Sequence, residues 1–352
     1  MFNTVQDFTL SHLPAKRKTS QSGWISFNAV CCHHNGHSTD TRGRGGIKTN
    51  SEGGISYHCF NCQWKTSYVP GRPLSFKYRK FLKWLGADDN QIQRLVIEAL
   101  RVRELINPDD IKEPEEPIEF TSKSLPKEAL SFMAIAEFYH LADRIFPREF
   151  IKAVNYVYNR QIDLKRYEFY WTPEIEYKLT HRVIIPFYYK NEIVGYTARA
   201  VDDGITPKYH SDSPGQFVFN LDNQQRENKF VIVSEGVFDA MSIDGVAVLS
   251  SEISETQAEL IEALGKQVIV VPDFDLHVNT QDKKVWPGRH LIQRAIEYGW
   301  AVSFPVWSEE VKDVADAVVK YGKLFTLKTI LQATESNHLK IQLLTKQYEQ
   351  RL

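Results

Sequence analysis

The cysteine distribution constrains the fold more than any other feature of the sequence. All four cysteines of this 352-residue chain lie between Cys31 and Cys62, in a stretch rich in Gly, Ser, Thr and His. Such a stretch has too few apolar residues for a core of its own. Clustered cysteines beside histidines are typical of a metal site in a reducing compartment. We therefore predict a small, metal-stabilised β domain over residues 1–72.

The spacing of the potential ligands predicts a single structural zinc ion. Cys31 and His34 are separated by two residues, as are Cys59 and Cys62. Two residues between ligands allow one tight turn to present both to the same ion, and two such turns complete a tetrahedron. The run CCHHNGH leaves the ligand register open, because Cys32 or His37 could replace one member of the first pair.

The N-terminal part of the chain is basic although the net charge of the whole chain is only -1. The first 86 residues contain 12 Lys/Arg and 3 Asp/Glu, which favours a contact with phosphates. We interpret Arg42, Arg44 and Trp64 as single-stranded nucleic-acid contacts through phosphate pairing and base stacking. In the alternative interpretation, aromatic residues such as Tyr57 and Phe60 form a small core beneath the zinc.

Composition and apolar periodicity divide the rest of the chain into four segments. Residues 73–125 predict helices followed by an acidic, Pro-rich linker, and residues 126–228 predict a mixed α+β subdomain with a hairpin around Lys190 and Asn191. Residues 229–310 alternate apolar strands with helices at about 237–244, 254–264 and 288–298, which indicates a mostly parallel sheet. Residues 311–352 predict a helical tail. The expected fold class is therefore α/β and multidomain.

Acidic residues follow two of the predicted parallel strands. Glu235 ends VIVSE, and Asp273 and Asp275 end VIVVPDFD. Ligands of open parallel sheets bind at the carboxyl ends of the strands, and clustered carboxylates need cations to offset their repulsion. Oxygen ligands suit Mg2+ or Mn2+, so these three residues predict a two-metal phosphoryl-transfer site. Asp239 and Asp313 are candidate supporting acids.

Basic residues precede this acidic group in the chain. The predicted hairpin contains Arg182 and Arg199, and Lys208 and Tyr209 follow it. Cations at these positions are interpreted as contacts to template, primer or incoming nucleoside triphosphate. The alternative is a cationic surface on an ordinary sheet.

Together these segments resemble bacterial-type replicative DNA primases and their phage relatives. YHCFNCQWKTS is similar to their zinc ribbon, and HRVIIPFYY through PKYHSD and FVFNLD to their polymerase subdomain. VIVSEGVFDAMSI, VIVVPDFD and KDVADA are similar to the motifs of the Toprim domain, a Rossmann-like parallel sheet. These similar stretches of sequence follow the family's order along the chain and cover most of residues 24–322.

The resemblance implies that the chain synthesises short RNA primers on single-stranded DNA from ribonucleoside triphosphates with Mg2+. It implies Glu235, Asp273 and Asp275 as metal ligands, supported by Asp239 and Asp313. No Gly-x4-Gly-Lys-Ser/Thr phosphate loop occurs in the sequence, so we expect any replicative helicase to be a separate chain, as in phage-like systems. No signal peptide or membrane span is expected, and the predicted location is the cytoplasm.

Two other classes of function share these features. A recombination mediator also combines a zinc site with a Toprim domain but is not catalytic, and a Toprim nuclease cleaves DNA with the same carboxylates. The basic residues between the two modules favour the primase. The gap between His34 and Cys59 is longer than in typical bacterial primases, and LHVNTQDKKVWPGRH after Asp275 resembles an inserted loop.

Overall fold

A computed structural model describes residues 4–21, 23–106, 118–173, 179, 181–225, 227–274, 277–278, 284–308 and 310–351. The chain forms two compact units, Met1–Ile118 and Glu119–Leu352. The predicted acidic linker falls mostly at residues 107–117 and lies outside the described residues. Asp275, one of the predicted metal ligands, also lies outside them.

The first unit contains a five-stranded antiparallel sheet whose strands follow the chain order. The strands are β1 (Arg17–Thr19), β2 (Ile25–Phe27), β3 (Gly45–Thr49), β4 (Ile55–Cys59) and β5 (Lys65–Tyr68). Side chains alternate between the two faces of a strand. Phe27, Ile47 and Tyr57 are almost fully buried, so one face of the sheet packs on a core and the other is left to solvent.

Three helices pack in the same unit: α1 (Thr4–Ser11), α2 (Phe76–Trp84) and α3 (Asp89–Leu105). The side chain of Asp88 caps α3 in a capping box with Gln91, which satisfies two backbone N–H groups at the start of the helix. Phe81 and Leu95 join the residues of the sheet in one hydrophobic core. The first unit is therefore larger than the predicted β domain, and the sequence analysis did not anticipate α1.

The second unit begins with an antiparallel sheet in the order β10-β9-β8-β7-β6. Its strands are β6 (Leu130–Ser131), β7 (Tyr170–Trp171), β8 (Arg182–Tyr189), β9 (Glu192–Ala200) and β10 (Tyr209–Asp212). The predicted hairpin is confirmed, because β8 and β9 pair around Lys190 and Asn191. Both turn residues have positive φ, as tight hairpin turns require. Two helices accompany this sheet, α4 (Phe132–Leu141) and α5 (Arg148–Asn159).

A mostly parallel sheet follows, in the order β12-β11-β13-β16-β17. Its strands are β11 (Phe230–Ser234), β12 (Val246–Ala247), β13 (Gln267–Val270), β16 (Ala301–Ser303) and the antiparallel edge strand β17 (Thr334–Glu335). The helices α6 (Val237–Ile243), α7 (Glu255–Ala263) and α8 (Gly288–Tyr298) confirm the predicted ones within two residues. Between β13 and α8, the predicted insertion contains a short hairpin of β14 (His277–Val278) and β15 (Lys284–Val285).

Three helices complete the second unit: α9 (Val314–Tyr321), α10 (Lys323–Gln332) and α11 (His338–Arg351). Val318 and Ile330 pack with Ile232 and Ile269 of the parallel sheet in one core. The predicted helical tail is thus partly integrated into the sheet's core. Within the described residues, no helix has both the length and the apolar character needed to cross a membrane.

Candidate functional site

The four cysteine sulfurs of the first unit converge on one point. Cys31, Cys32, Cys59 and Cys62 present ligand atoms that all lie within 4.8 Å of one another. The sulfurs of Cys31 and Cys62 are 3.4 Å apart, and those of Cys32 and Cys59 are 3.5 Å apart. Tetrahedral Zn–S bonds of about 2.3 Å place sulfurs at roughly these separations, so the quartet could bind one zinc ion.

Hydrogen-bond donors surround the cysteine sulfurs. The hydroxyl of Tyr57 lies 3.2 Å from the Cys31 sulfur, and the side-chain amide of Asn61 lies 3.4 Å from that of Cys32. Burial raises the pKa of the Cys31 thiol. Burial acts in the same direction on Cys59, but N–H groups of Cys62 and Asn61 donate to its sulfur and bring its pKa below the usual value. Donors aimed at sulfur are the outer shell that thiolate–metal sites require.

The structure differs from the preferred ligand prediction at one position. Cys32 joins the quartet in place of His34, as one of the two alternatives allowed. His34 lies in a short 3-10 helix (His33–Asn35) that begins directly after Cys32. Its ring stacks on that of Trp84, with centroids 4.6 Å apart and planes 7° from parallel. The immediate start of this helix turns the imidazole away from the sulfurs.

Asp40 organises the loop between the two pairs of cysteines. Its side chain is fully buried and accepts hydrogen bonds from the backbone N–H groups of Ala29, Arg42 and Arg44, and from the Arg44 guanidinium. Burial tends to raise the pKa of this carboxyl, but the four donors outweigh it and hold the pKa well below its usual value. The loop conformation therefore depends on an ionised Asp40.

We expect Asp40→Asn to destabilise the first unit by about 2–4 kcal/mol. An amide cannot accept all four hydrogen bonds, and its NH2 group would face one of the N–H groups that now donate to the carboxylate. Urea-induced zinc release is a suitable measurement. Asp7→Asn, at an exposed position on α1, is the matched control and should change stability by no more than about 0.5 kcal/mol. An Asp40→Asn protein as stable as this control would contradict the role given to the carboxylate.

The solvent-facing side of the first unit's sheet is basic and aromatic. Strand register aligns Lys18, Ser26, Gly46, His58 and Lys65 in one row across all five strands. Next to this row, the rings of Trp24 and Phe60 meet edge to face with centroids 6.0 Å apart. A Cβ atom at Gly46 would lie 3.0 Å from the Trp24 ring, so glycine leaves room for the aromatic pair. Phe60 is 56% exposed. We call these residues the basic–aromatic face.

Two residues predicted to contact nucleic acid have other contacts. Trp64 is buried, and its ring packs against those of Tyr57, Phe81 and Trp84. The guanidinium of Arg44 is held by Asp40 and Asn61. Both residues therefore support the fold around the cysteine quartet. Arg42, by contrast, is exposed.

Glu235 and Asp273 lie at the carboxyl ends of adjacent parallel strands in the second unit. Strands β11 and β13 pair in register, with Val233 opposite Val270, so both acids emerge at the same edge. The backbone N–H of Asp273 donates to Oε1 of Glu235 at 3.3 Å. Burial raises the pKa of Glu235 to about 7. A buried carboxylate at a strand end is stabilised by a cation, and this donor chemistry suits Mg2+ or Mn2+.

Asp239 and Asp313 form a second, hydrogen-bonded carboxyl pair. Oδ1 of Asp239 accepts the N–H of Ala315 at 2.9 Å, at the start of α9. A Cβ atom at Gly236 would lie 2.5 Å from Oδ2 of Asp239, which explains why glycine follows Glu235. Burial, and then the charge of Asp313, raise the pKa of Asp239 to about 8. The pair therefore shares a proton near neutral pH and joins the first turns of α6 and α9.

Among the described residues, the cysteine quartet is the only group of three or more potential ligands whose atoms lie within 4.8 Å of one another. The structure thus brings together two of the predicted carboxylate ligands, Glu235 and Asp273, and pairs the two supporting acids. The predicted third ligand, Asp275, lies outside the described part of the chain.

The raised pKa of Glu235 predicts a pH-dependent cost to stability. Its pKa is about 7 in the folded chain and near 4.5 when exposed. The folded state therefore favours the protonated form, so stability falls as pH rises from about 4.5 through 7. Without added divalent cation, we expect Glu235→Gln to be more stable than the unsubstituted protein at pH 8 by about 3 kcal/mol, and equally stable at pH 4.5. Thermal unfolding at both pH values tests this, and a variant less stable at pH 8 would contradict it.

Two arginines and their aromatic neighbours form an array beside these acids. The Arg199 guanidinium lies 4.6 Å from the centre of the Tyr209 ring and 5.7 Å from that of Tyr156. Arg160, at the end of α5, lies 4.8 Å from the rings of both Tyr156 and Phe238. Burial raises the pKa of both Asp239 and Asp313, and the charge of Arg160 opposes this rise only in part.

Arg199 is only 8% exposed, and its Nε has no hydrogen-bond partner among the described residues. A buried guanidinium held mainly against aromatic rings is an incompletely satisfied cation. Arg199 was among the contacts predicted from the sequence, and Arg160 was not. The one signal available was its spacing of four residues from Tyr156 on a helix.

Arg182 differs from its predicted role as a nucleic-acid contact. It is only 3% exposed, and its guanidinium donates to the carbonyls of Ala198, Pro207 and Lys208 at 3.2, 2.6 and 3.1 Å. Arg182 therefore holds the chain segment that leads into β10. The side chain of Lys208 is exposed, and Tyr209 is 38% exposed.

No protein-family model matches the chain, and no curated protein matches it. Solved primase structures are similar to it. The zinc-binding and RNA polymerase domains of the Aquifex aeolicus primase are 17% identical, with coverage of 94% of this chain and 83% of that one and a TM-score of 0.42. The RNA polymerase domain of Mycobacterium tuberculosis primase DnaG is 15% identical, with coverage of 58% of this chain and 83% of that one and a TM-score of 0.44. A DnaG primase catalytic domain bound to single-stranded DNA is 16% identical, with coverage of 61% of this chain and 83% of that one and a TM-score of 0.42.

Proposed function

We propose that this chain is a DNA primase that synthesises short RNA primers on single-stranded DNA from ribonucleoside triphosphates. The observation that carries the proposal is the meeting of Glu235 and Asp273 at one edge of a parallel sheet, with their carboxylates suited to divalent cations. The buried, incompletely satisfied Arg199 adds a site for an anion. An acidic cation site together with cations for phosphate is the combination that nucleotidyl transfer requires.

The second unit would perform the transfer. Glu235 and Asp273 would hold Mg2+, with Asp275 proposed as a further ligand. Bound there, the cation supplies charge stabilisation to the triphosphate and favours ionisation of the attacking 3′-hydroxyl. Arg199 and Arg160 would orient the phosphates, because their rigid contacts with aromatic rings fix the guanidinium planes. Asp239 and Asp313 would keep the first turns of α6 and α9 in place beneath the site.

The first unit would bind the template through its basic–aromatic face. Phosphates would pair with lysines such as Lys18 and Lys65, and bases would stack on Phe60 and Trp24. Arg42 stays a proposed phosphate contact. Zinc, bound by the cysteine quartet, would make this small unit rigid, since four protein ligands leave the ion no open position for catalysis.

We expect Phe60→Ala to weaken binding of single-stranded DNA about tenfold, because one base loses its stacking partner. Fluorescence anisotropy with a labelled oligonucleotide at fixed salt measures the effect. Phe325→Ala removes a similarly exposed ring, 50% accessible on α10, and should leave the affinity unchanged. Equal losses of affinity in both variants would mean that the basic–aromatic face does not bind the template.

Incorporation of labelled ribonucleotides on single-stranded DNA of random sequence tests the proposed function. Template-dependent RNA products a few nucleotides long, formed only with Mg2+ or Mn2+, support the primase. Cleavage of the DNA would support the nuclease instead. DNA binding with neither product would support a non-catalytic mediator.

A separate replicative helicase remains a predicted partner. The second unit leaves Leu339 and Leu343 on α11 exposed at 77% and 57%, one helical turn apart. The helicase would meet the chain at residues after Phe325, and we propose this only as part of the primase function.

A further inference from the structure

Phe274 joins the last helix of the second unit to the proposed cation site. It follows Asp273 directly, and three aromatic rings surround it. The ring of Tyr348, from α11, is 4.9 Å away, and those of Trp286 and Trp307 are 5.9 and 6.2 Å away. Aromatic rings at these separations attract one another in addition to burying apolar area. The aromatic cluster therefore fixes the residue adjacent to a proposed metal ligand.

The backbone around Asp273 is held from two further directions. The indole N–H of Trp286, a buried residue, donates to the carbonyl oxygen of Asp273 at 2.6 Å. The N–H of Phe274 donates to the carbonyl of Lys312 at 2.8 Å. These two hydrogen bonds hold the one peptide group that joins Asp273 to Phe274. The Phe274 ring, which lies against Tyr348, holds the same segment from a third side.

Helix α11 is itself anchored on this side. The Tyr348 hydroxyl lies 2.7 Å from the Pro305 carbonyl and 3.1 Å from that of Phe304. Glu349 pairs with Arg289 of α8 at 3.1 Å. The same helix exposes leucines on another side, as described above. Tyr348 therefore connects α11 to the end of β13, because its ring contacts Phe274.

We propose that Tyr348 is a positioning residue for the divalent-cation site. Its ring holds Phe274, and through it the orientation of Asp273, in the arrangement that binds the cation. Cation binding and the packing of α11 on Phe274 then stabilise each other, because linkage between two sites is reciprocal. This inference rests on the proposed function, since it assumes that Asp273 is a cation ligand.

Manganese binding to the 352-residue chain, measured from the electron paramagnetic resonance signal of free Mn2+, tests the proposal. We expect Tyr348→Ala to weaken Mn2+ affinity about tenfold, a typical size for coupling between sites. Tyr348→Phe keeps the ring and should bind Mn2+ within about twofold of the unsubstituted protein. Tyr158→Ala removes a tyrosine that is 71% exposed on α5, and we expect no change in affinity.

Hydrogen exchange of the unsubstituted protein gives a second measurement that does not depend on any variant folding. Added Mn2+ should slow exchange of amides in α11, and Asp273→Asn should remove this protection. Unchanged Mn2+ affinity in a folded Tyr348→Ala protein, or α11 exchange that does not respond to bound Mn2+, overturns the positioning role. If the unsubstituted protein binds no Mn2+, or if Asp273→Asn binds it equally well, the proposed function fails as well. If Asp273→Asn loses Mn2+ binding but Tyr348→Ala does not, only the positioning role fails and the proposed function stands.

Discussion

Replacing Asp273 with asparagine should reduce primer synthesis at least about a thousandfold, the effect of losing several kcal/mol of transition-state stabilisation from one metal ligand. The amide is nearly isosteric with the carboxylate but carries no charge to hold a divalent cation. The backbone contacts of Asp273 with Glu235 and Trp286 do not involve its own carboxylate. The fold, the zinc content and binding of single-stranded DNA should therefore be unchanged.

The measurement is the rate of ribonucleotide incorporation at saturating template, with zinc content and circular dichroism as checks on the fold. Glu149→Gln, at an exposed position on α5, is the matched control and should retain full activity. Synthesis by Asp273→Asn within about tenfold of the unsubstituted rate would mean that this residue is not a metal ligand.

Cys32→Ser and His34→Ala should have opposite outcomes, because the structure places the first in the sulfur quartet and the second on Trp84. We expect Cys32→Ser to lose zinc and with it the fold of the first unit, since structural zinc contributes about 10–16 kcal/mol of binding free energy to such domains. His34→Ala should keep one zinc per chain and lose only a ring contact, at a cost of about 1 kcal/mol.

Elemental analysis gives the zinc stoichiometry, and a nuclear magnetic resonance amide spectrum shows whether the first unit is folded. Zinc retained in Cys32→Ser but lost in His34→Ala would restore the ligand set preferred from sequence. Loss of zinc in both variants would indicate a site whose geometry differs from that of the cysteine quartet.

The sequence predicted the regular elements well where periodicity was strong. The hairpin of β8 and β9 and the helices α6, α7 and α8 match, because long alternating or helical patterns leave one choice of buried face. The prediction was less accurate where short elements depend on packing. The run KEALSFMAIAEFYHLADRIF, residues 127–146, predicted one helix, but only its middle part forms α4, and α5 follows beyond its end at Arg148–Asn159. Helix α1 is stabilised by core contacts such as that of Val5, which local patterns do not reveal.

Residue type alone could not separate structural from accessible side chains. Arg182 and Trp64 were predicted as nucleic-acid contacts because cations and aromatics have that chemistry. Both are buried, however, and have protein partners. Accessibility depends on strand register and on which loops cover a face, and both are tertiary properties. For Phe60, the sequence left open whether the ring is exposed or packs in a small core. The ring is exposed because Phe60 lies just past the end of β4.

The zinc ligands and Arg160 show a different limit. A spacing of two residues favoured His34, but the backbone enters a 3-10 helix at His33, so the adjacent Cys32 is the side chain that turns inward. Arg160 belongs to no recognisable motif, and its relation to Asp239 and Asp313 arises only when α5 packs beside α6. Spacing arguments assume a local backbone geometry, and they fail where that geometry is set by packing.

An anomalous difference map from a crystal of the 352-residue chain soaked in Mn2+ tests the proposed cation site. We expect a peak bonded to carboxylate oxygens of Glu235 and Asp273, at about 2.0–2.3 Å, with Arg199 facing the same edge of the sheet. No peak at these strand ends, with the two carboxylates turned apart and manganese bound elsewhere, would contradict it.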